Sequence, residues 1–472
     1  MQSYRRTVCA DVDTTRCGFH DLDFRLLLRY LFLWLAVPLV PQEMESTRDR
    51  SAIVVGDPDR TPEGIAVALT SNPLPISDPE TLGFCAHRLQ RMISFLETTV
   101  AQQNLPGAAV LIARDGEIAC RTVAGLQNVE TGDPLQLDTI YRIASMTKPI
   151  TCVGVMILYE EGRFRLEDPV SRYIPEFAEP CVFSAGNETI PAKGEITIQH
   201  LLTHTSGLAY GGDPRLRQCA EEAGLTGYPG TLSTGELIRG IARLPLAHDP
   251  GAAWTYGTSA DVLGHLIEVL SETRLDEFLK ERIFAPLRMI DTGFLVPREQ
   301  RHRLIPVYTR SDGRLIRKPA GPIHLGPLNL SIDDVCREPQ HFHMGGGGLA
   351  STLHDFTRFV QMLLNGGELD GVRLLGRKTV DRMTTNSVGD LDVRFAELQG
   401  DKMGLGLAVR EDRGRFGGLE SVGTFAWSGG FTAHFWADPA QDLIGVVLSQ
   451  YSSSNVAFLQ TCRTLAYQAL VD

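Results

Sequence analysis

The stretch of sequence that decides the fold is YRIASMTKPITCVGVMILYEE, residues 141–161. Proline is tolerated in a helix only within the first turn, so Pro149 predicts a helix that begins close to Ser145. Residues three apart share one face of a helix, and the Lys148 ammonium group can therefore reach the Ser145 hydroxyl. Because the helix is apolar on nearly every side as far as Gly162, we expect its start to be buried.

The pairing of Ser145 with Lys148 indicates nucleophilic catalysis. A serine hydroxyl is a poor nucleophile until a neighbouring base takes its proton, and a lysine can do so only when burial or nearby positive charge lowers its pKa. The helix N-terminus contributes N–H groups and a positive dipole end, which favour a developing oxyanion. The alternative interpretation is that Ser145 is only an N-cap and Lys148 is a solvated side chain. Further motifs are needed to choose between the two interpretations.

The second candidate is Tyr256, in the segment WTYGTSAD at residues 254–261. It lies two residues before Thr258, the predicted N-cap of the helix that follows, so its ring can project from a fixed loop. A phenol in such a place can pass a proton to a leaving alkoxide. A half-buried tyrosine that donates to a carbonyl is the alternative interpretation.

The third candidate is the glycine pair in FAWSGGFT, residues 425–432. This segment predicts a strand, and paired glycines inside a strand indicate close approach of another group, such as a substrate or a backbone segment. The N–H of Gly430 can then donate to a reacting carbonyl oxygen. A β-bulge is the alternative interpretation.

Strand and helix patterns on both sides of these motifs predict one fold. Residues 108–125 are typical of a hairpin that turns at Asp115-Gly116, and residues 423–450 of two further strands around Asp438-Pro439. A helix follows at residues 456–470, and most segments between the two ends are helical. We therefore expect an α/β fold in which N- and C-terminal strands meet in one antiparallel sheet, flanked by helices and carrying an inserted helical lobe.

Three helix starts have the capping-box pattern, in which a Ser or Thr is followed three residues later by an acid. They are STGE at residues 233–236, TSAD at 258–261 and TLHD at 352–355. In each of them we expect the acid side chain to cap its own helix.

The first 80 residues are expected to form a poorly ordered extension, and residues 81–472 a single catalytic domain. Residues 26–40 are strongly apolar, but this run is shorter than the roughly 20 residues that a membrane-spanning helix needs. A secretory signal or membrane anchor there, and a non-native extension upstream of a start at Met44, are alternatives. Residues 41–80 are rich in Pro, Asp, Ser and Thr, which is typical of a linker.

The composition disfavours several classes of protein. The chain has 45 Lys and Arg against 57 Asp and Glu, and this net charge of −12 does not suit a nucleic-acid binder. Its nine cysteines are an odd number without a CxxC pair, which indicates neither a disulfide framework nor a zinc module. Scattered thiols fit a reducing compartment, so we expect a cytoplasmic protein. The oligomeric state is not predicted.

The order of Ser145-x-x-Lys148, Tyr256 and a Gly-Gly strand resembles the serine β-lactamase-related superfamily of class C β-lactamases, D-alanyl-D-alanine peptidases and family VIII carboxylesterases. The likeness covers about residues 82–467. Further similar segments lie at residues 201–208, 250–270, 284–294 and 345–369. The resemblance implies that Ser145 is the nucleophile and that Lys148 and Tyr256 handle its proton. It also implies an oxyanion hole formed by the N–H groups of Ser145 and Gly430, with no cofactor and no metal.

Two departures from the lactamase pattern point to the carboxylesterase branch. Thr258 stands where lactamases carry Asn, and Trp427-Ser428-Gly429 replaces Lys-Thr-Gly, which removes a cation that would pair with a substrate carboxylate. We therefore expect a serine hydrolase of small neutral carboxylic esters, with Trp427, Ser428 and Gly429 at the substrate-binding site. A β-lactamase, a D-amino-acid peptidase, an acyl transferase and a non-catalytic scaffold of the same fold are the alternatives.

Overall fold

The structure is a computed structural model that describes residues 73–184, 188–211, 213–225, 232–319, 321–325, 328–394, 400–412, 414 and 418–472. These residues belong to one structural unit, Leu69–Asp472. The folded part extends to the N-terminal side of the boundary expected at residue 81, because Ile76 pairs with Ile118. The apolar segment at residues 26–40 lies outside the described residues.

The helices surround a central sheet. In the described part of the chain, the α-helices are α1 (Ala86–Ala101), α2 (Thr147–Glu160), α3 (Ile198–Leu202), α4 (Pro214–Glu222), α5 (Thr234–Ala242), α6 (Ser259–Ser271), α7 (Leu275–Leu279), α8 (Leu353–Leu364), α9 (Arg377–Met383) and α10 (Val456–Tyr467). A short 3-10 turn, Ala144–Met146, precedes α2, and a π-helical turn, Lys280–Phe284, continues α7. Within the described ranges, no helix is both long and apolar enough to cross a membrane.

The strands form one large sheet and several two-stranded ribbons. They are β1 (Gly107–Arg114), β2 (Glu117–Asn128), β3 (Asp133–Pro134), β4 (Ile140–Arg142), β5 (Cys181–Phe183), β6 (Thr189–Pro191), β7 (Tyr308–Ser311), β8 (Arg314–Arg317), β9 (Pro322–Leu325), β10 (Leu328–Ser331), β11 (Ala350–Thr352), β12 (Glu368–Leu369), β13 (Val372–Arg373), β14 (Asp401–Met403), β15 (Ala408–Arg410), β16 (Phe425–Gly429), β17 (Ala433–Asp438) and β18 (Leu443–Ser449).

The large sheet joins the two ends of the folded unit. Its eight strands follow the order β14-β15-β16-β17-β18-β1-β2-β3, and all of its neighbouring pairs are antiparallel. β1 pairs with β18, from Ala108 opposite Ser449 to Arg114 opposite Leu443. The prediction that N- and C-terminal strands meet in one antiparallel sheet is therefore confirmed.

The β1–β2 hairpin turns where the sequence predicts it. Asp115 and Gly116 have φ angles of 54° and 78°, in the left-handed region that glycine adopts freely and aspartate tolerates. Such a two-residue turn matches the twist of the strands that it connects. The glycine pair, by contrast, is not inside a strand, because β16 ends at Gly429 and Gly430 lies in the turn to β17.

Both faces of the large sheet are apolar because helices cover each of them. Along β1, Val110 and Ile112 belong to a core cluster that includes residues of α1 and α10. The alternating positions Ala109 and Leu111 belong to a second cluster, which includes residues of α2 and α8. Strands with two buried faces have continuous apolar sequences instead of an alternating pattern, and this sheet is thus the middle layer of the fold.

The helices α3 to α7 form the inserted lobe between the Ser145 turn and β11. α2 packs against α6 and α7, and every residue of α2 from Thr147 to Leu158 is buried. A helix that is enclosed in this way is apolar on nearly every side, as its sequence predicts. The predicted architecture, an antiparallel sheet flanked by helices with a helical insertion, is confirmed.

Candidate active site

Ser145 lies in the 3-10 turn between β4 and α2. β4 pairs with β11, and the N–H of Ile143 donates to the carbonyl of Leu349 at 3.0 Å, so the strand before the turn is held firmly. Ala144 has a φ angle of 46°, in a left-handed region that costs a non-glycine residue energy and is common at functional sites. This turn places Ser145 on the wall of a cavity of about 320 Å³.

The structure brings together the three side chains that the sequence singles out for catalysis. The Ser145 Oγ accepts hydrogen bonds from the Tyr256 hydroxyl at 2.7 Å and from the Lys148 Nζ at 3.2 Å. Ser145 and Lys148 share a helix face, as their spacing predicts. Tyr256 approaches from the inserted lobe, 111 residues further along the chain.

Lys148 is held by several groups that stabilise a cation. The side chain is only 1% exposed, and its Nζ donates to the carbonyl of Gly346 at 2.5 Å. It lies 4.7 Å from the ring centroid of Tyr256 and 5.5 Å from that of Tyr210. A carbonyl oxygen and two aromatic faces are favourable neighbours for an ammonium group. The Tyr256 hydroxyl, at 2.7 Å against 3.2 Å for the Lys148 Nζ, is the nearer of the two proton-handling groups to the Ser145 Oγ.

A cluster of aromatic rings fixes Tyr256. The rings of His204, Tyr256 and Trp427 all contact one another: the centroid of His204 is 5.2 Å from that of Tyr256 and 5.9 Å from that of Trp427, and the latter two are 6.1 Å apart. Trp254 stacks on Tyr256 at 6.2 Å and meets the ring of His204 edge-on at 6.0 Å. Burial, with the charge of Lys148, lowers the pKa of His204 to about 3, so the imidazole is neutral. The rings therefore hold Tyr256 in one orientation beside Ser145.

None of the three residues predicted for substrate binding, Trp427, Ser428 and Gly429, lines the described cavity in front of Ser145. Trp427 is fully buried within the aromatic cluster, and the Ser428 hydroxyl is hydrogen-bonded to His434 Nδ1 at 2.8 Å. A Cβ on Gly429 would lie 2.4 Å from the carbonyl oxygen of Ile143, so glycine lets β16 approach the strand that leads to Ser145. Gly430 lines the cavity beside Ser145, whereas the described lining does not include Trp427, Ser428 or Gly429.

The cavity in front of Ser145 has a mainly apolar wall. Its apolar lining includes Ala144, Phe294, Ile332, Val335, Phe342, Met344, Leu349 and Phe431. Charged residues also line it, but the Arg142 guanidinium is occupied by the carbonyls of Ile332 at 2.5 Å and Ile305 at 2.9 Å. Arg337 pairs with Asp334 at 3.4 Å. The lining also includes Lys318, but most of the wall beside the Ser145 hydroxyl is apolar and suits an apolar group.

Sequence reasoning missed the cavity wall, although one signal for it was present. The run Gly345 to Gly348 is unusual, and a Cβ on Gly345 would lie 2.5 Å from the carbonyl oxygen of Ala260. The run therefore packs tightly against α6, and Gly346 to Gly348 line the cavity. Among the described residues, no group of His, Cys, Asp and Glu side chains could hold a metal ion.

The predicted capping box at residues 258–261 is wrong. Thr258 is the N-cap of α6, but its side chain makes no capping hydrogen bond. The Asp261 side chain points inward instead and accepts from the N–H of Gly346 at 2.9 Å and from the Tyr210 hydroxyl at 3.3 Å. Asp261 therefore belongs to the surroundings of Lys148, a role that its position at a helix start did not indicate.

Comparisons with known proteins agree with this architecture. A family model described as Beta-lactamase matches residues 92–467. An uncharacterized protein of Mycobacterium tuberculosis is 35% identical over 363 residues, which cover 74% of this chain and 86% of the relative. Esterase EstB of Burkholderia gladioli is 31% identical over 379 residues, which cover 76% of this chain and 89% of the relative.

A solved structure shows the same fold. "EstCE1, a hydrolase with promiscuous acyltransferase activity" superposes with a TM-score of 0.70 at 24% identity, and the match covers 82% of this chain and 99% of that one. Because the family model spans most of the chain and two relatives above 30% identity cover about three quarters of it, this protein belongs to the beta-lactamase family and is a serine hydrolase.

Proposed function

We propose that the protein is a carboxylesterase that cleaves small neutral esters through an acyl-enzyme on Ser145. The observation that carries this proposal is the hydrogen bonding of the Ser145 Oγ to both Tyr256 and Lys148, at 2.7 and 3.2 Å, on the wall of a mainly apolar cavity. The similarity to Esterase EstB supports an ester as the substrate.

In the acylation step, the Ser145 Oγ attacks the ester carbonyl carbon and its proton passes to the phenolate form of Tyr256. The nearby Lys148 ammonium stabilises that phenolate. The negative charge on the carbonyl oxygen is met by the N–H groups of Ser145 and Gly430, both of which line the cavity. Tyr256 then returns the proton to the leaving alkoxide, and the alcohol departs.

In the deacylation step, a water molecule takes the position that the alcohol has left. Tyr256 accepts a proton from this water as its oxygen attacks the acyl carbon of the Ser145 ester. The tetrahedral intermediate collapses, the acid is released, and the proton on Tyr256 returns to the Ser145 Oγ. An alcohol in place of water would give acyl transfer by the same steps.

The proposal is tested with p-nitrophenyl butyrate and a fluorophosphonate probe. Ser145→Ala should lower turnover by several orders of magnitude, since the nucleophile is lost, and should abolish labelling. Ser233→Ala, which changes a serine at the exposed start of α5, is the matched control and should keep both. Turnover in Ser145→Ala within a few fold of the unmodified protein would refute the nucleophile assignment. Products formed with added alcohol separate hydrolysis from acyl transfer.

A further inference from the structure

Asp261 is a buried acid at the start of α6 that the proposed reaction does not use. Only 1% of it is exposed. Burial of a carboxylate is costly unless hydrogen bonds or an opposite charge compensate for it. Its compensation comes from residues far away in the sequence, since its partners are the N–H of Gly346 and the hydroxyl of Tyr210.

Gly346 links Asp261 to Lys148. Its N–H donates to Asp261 Oδ1 at 2.9 Å, and its carbonyl accepts from Lys148 Nζ at 2.5 Å. A Cβ on this residue would lie 2.8 Å from Asp261 Oδ2, so the contact requires glycine. The backbone of Gly346 is thus held between the carboxylate and the ammonium group.

Tyr210 makes a second link. Its hydroxyl donates to Asp261 Oδ2 at 3.3 Å, and the centroid of its ring is 5.5 Å from Lys148 Nζ. The ring of Tyr210 also packs edge-on against that of Tyr256, with 5.4 Å between centroids. Asp261 therefore orients two of the groups that surround Lys148.

Asp261 is the acidic residue near Lys148 in the described structure. The other titratable groups that face this region in the described structure are Cys152, His204, Tyr210 and Tyr256. Burial raises the pKa of Cys152 to about 12 and lowers that of His204 to about 3, so both are uncharged near neutral pH. Burial also raises the pKa of Asp261, and the charge of Lys148 opposes that rise.

We propose that Asp261 is a positioning residue for Lys148: its buried carboxylate holds the backbone of Gly346 and the ring of Tyr210 in place around the ammonium group. This inference rests on the proposed function, in which the ammonium form of Lys148 supports Tyr256. Asp261 acts through Lys148 and does not touch the ester.

The test uses the full-length chain with Asp261→Asn and a matched control, Asp355→Asn. Asp355 is also an acid three residues after the N-cap of its helix, is 1% exposed, and also accepts one N–H, from Asp291 at 2.7 Å, and one hydroxyl, from Thr292 at 2.9 Å. Each variant therefore removes a buried carboxylate, one beside Lys148 and one bonded to other partners.

We expect Asp261→Asn to lower kcat for p-nitrophenyl butyrate by at least about tenfold, a part of the 10²- to 10⁴-fold that general acid–base catalysis contributes. The basic limb of the kcat/KM profile against pH should also move to lower pH, because an ammonium group without its facing anion loses its proton more readily. Asp355→Asn should leave the position of that limb unchanged, even where it lowers the melting temperature.

An Asp261→Asn enzyme with unmodified kcat and an unmoved basic limb would overturn the inference, and so would an equal shift in Asp355→Asn. If Asp261→Asn does not fold, Tyr210→Phe tests the inference instead. This variant keeps the aromatic ring and removes only the hydroxyl that donates to Asp261. It should shift the limb in the same direction by a smaller amount, and an unmoved limb would overturn the inference. The Ser145→Ala test is separate from these measurements. If Ser145→Ala kept its activity, the proposed function itself would be refuted.

Discussion

The starts of helices α5 and α6 have the same sequence pattern and different structures. At α5, the Ser233 Oγ accepts from the N–H of Glu236 at 3.3 Å, and Glu236 Oε2 accepts from the N–H of Ser233 at 2.8 Å, which completes a capping box. At α6, Thr258 makes no such bond and Asp261 bonds to Gly346. The pattern thus predicts where a helix begins, but not what its acid does.

The difference follows from what surrounds each start. The box at α5 is exposed to solvent, where a carboxylate has no partner better than its own backbone. The start of α6 is buried against α2, so other segments offer donors to Asp261. α8 is an intermediate case, because the Thr352 side chain caps the N–H of Asp355 at 3.2 Å while the Asp355 carboxylate bonds elsewhere. Tertiary contacts decide whether such an acid stabilises one helix or serves a site.

The largest effect that we expect concerns the choice of substrate, and it depends on Thr258 at the start of α6 and on residue 427 in β16. With Thr258 in place of Asn, and no cation at residue 427, kcat/KM for a neutral short-chain aryl ester should exceed that for a chromogenic cephalosporin by at least about three decades. A charged hydrogen bond to a substrate carboxylate is worth roughly 1.5 to 3 kcal/mol, about ten- to hundredfold, and an unpaired acyl-amide adds a further penalty. Steady-state kinetics on both substrates measures the ratio.

Lys318, a cation on the cavity wall, provides the control for this comparison. Lys318→Met should change the ester-to-cephalosporin ratio by less than about threefold, because the expected preference comes from the missing cation at residue 427 and the missing amide at residue 258, and not from Lys318. Equal efficiencies on the two substrates in the unmodified protein would refute the esterase assignment in favour of a β-lactamase.

The next effect concerns the proton-handling pair beside Ser145. Tyr256→Phe and Lys148→Ala should each lower kcat by two or more orders of magnitude, the size typical of the loss of a general acid or base. A Tyr256→Phe enzyme with near-normal kcat would show that the phenol only packs against His204.

The smallest effect is expected at the start of α5. Ser233→Ala should lower the free energy of unfolding by about 1 kcal/mol, the usual cost of losing an N-cap side chain. Its kcat and pH profile should not change, because this box caps only its own helix. Urea denaturation together with ester kinetics measures both quantities. A loss of activity in Ser233→Ala without a loss of stability would contradict the distinction between the two helix starts.

Local patterns allowed much of the fold to be predicted. Pro149 indicated the start of α2, the Asp115-Gly116 turn indicated the hairpin, and the apolar runs at both ends indicated the antiparallel sheet. The pairing of Ser145 with Lys148 also followed from the sequence, because residues three apart on a helix share a face whatever surrounds them. Each of these features depends on neighbours within a few residues, which a sequence displays directly.

The tertiary structure alone decided the rest. Trp427 packs inside the aromatic cluster and not on the cavity wall. The apolar residues that face Ser145 also come from segments that are far apart in the sequence. It also turned Asp261 away from its own helix. Gly346 meets Lys148 across 198 residues of sequence, and the geometry of such a contact depends on how whole layers pack. The sequence by itself therefore determined the reacting groups and the elements that carry them, and packing determined their surroundings, because burial and long-range partners are properties of the assembled core.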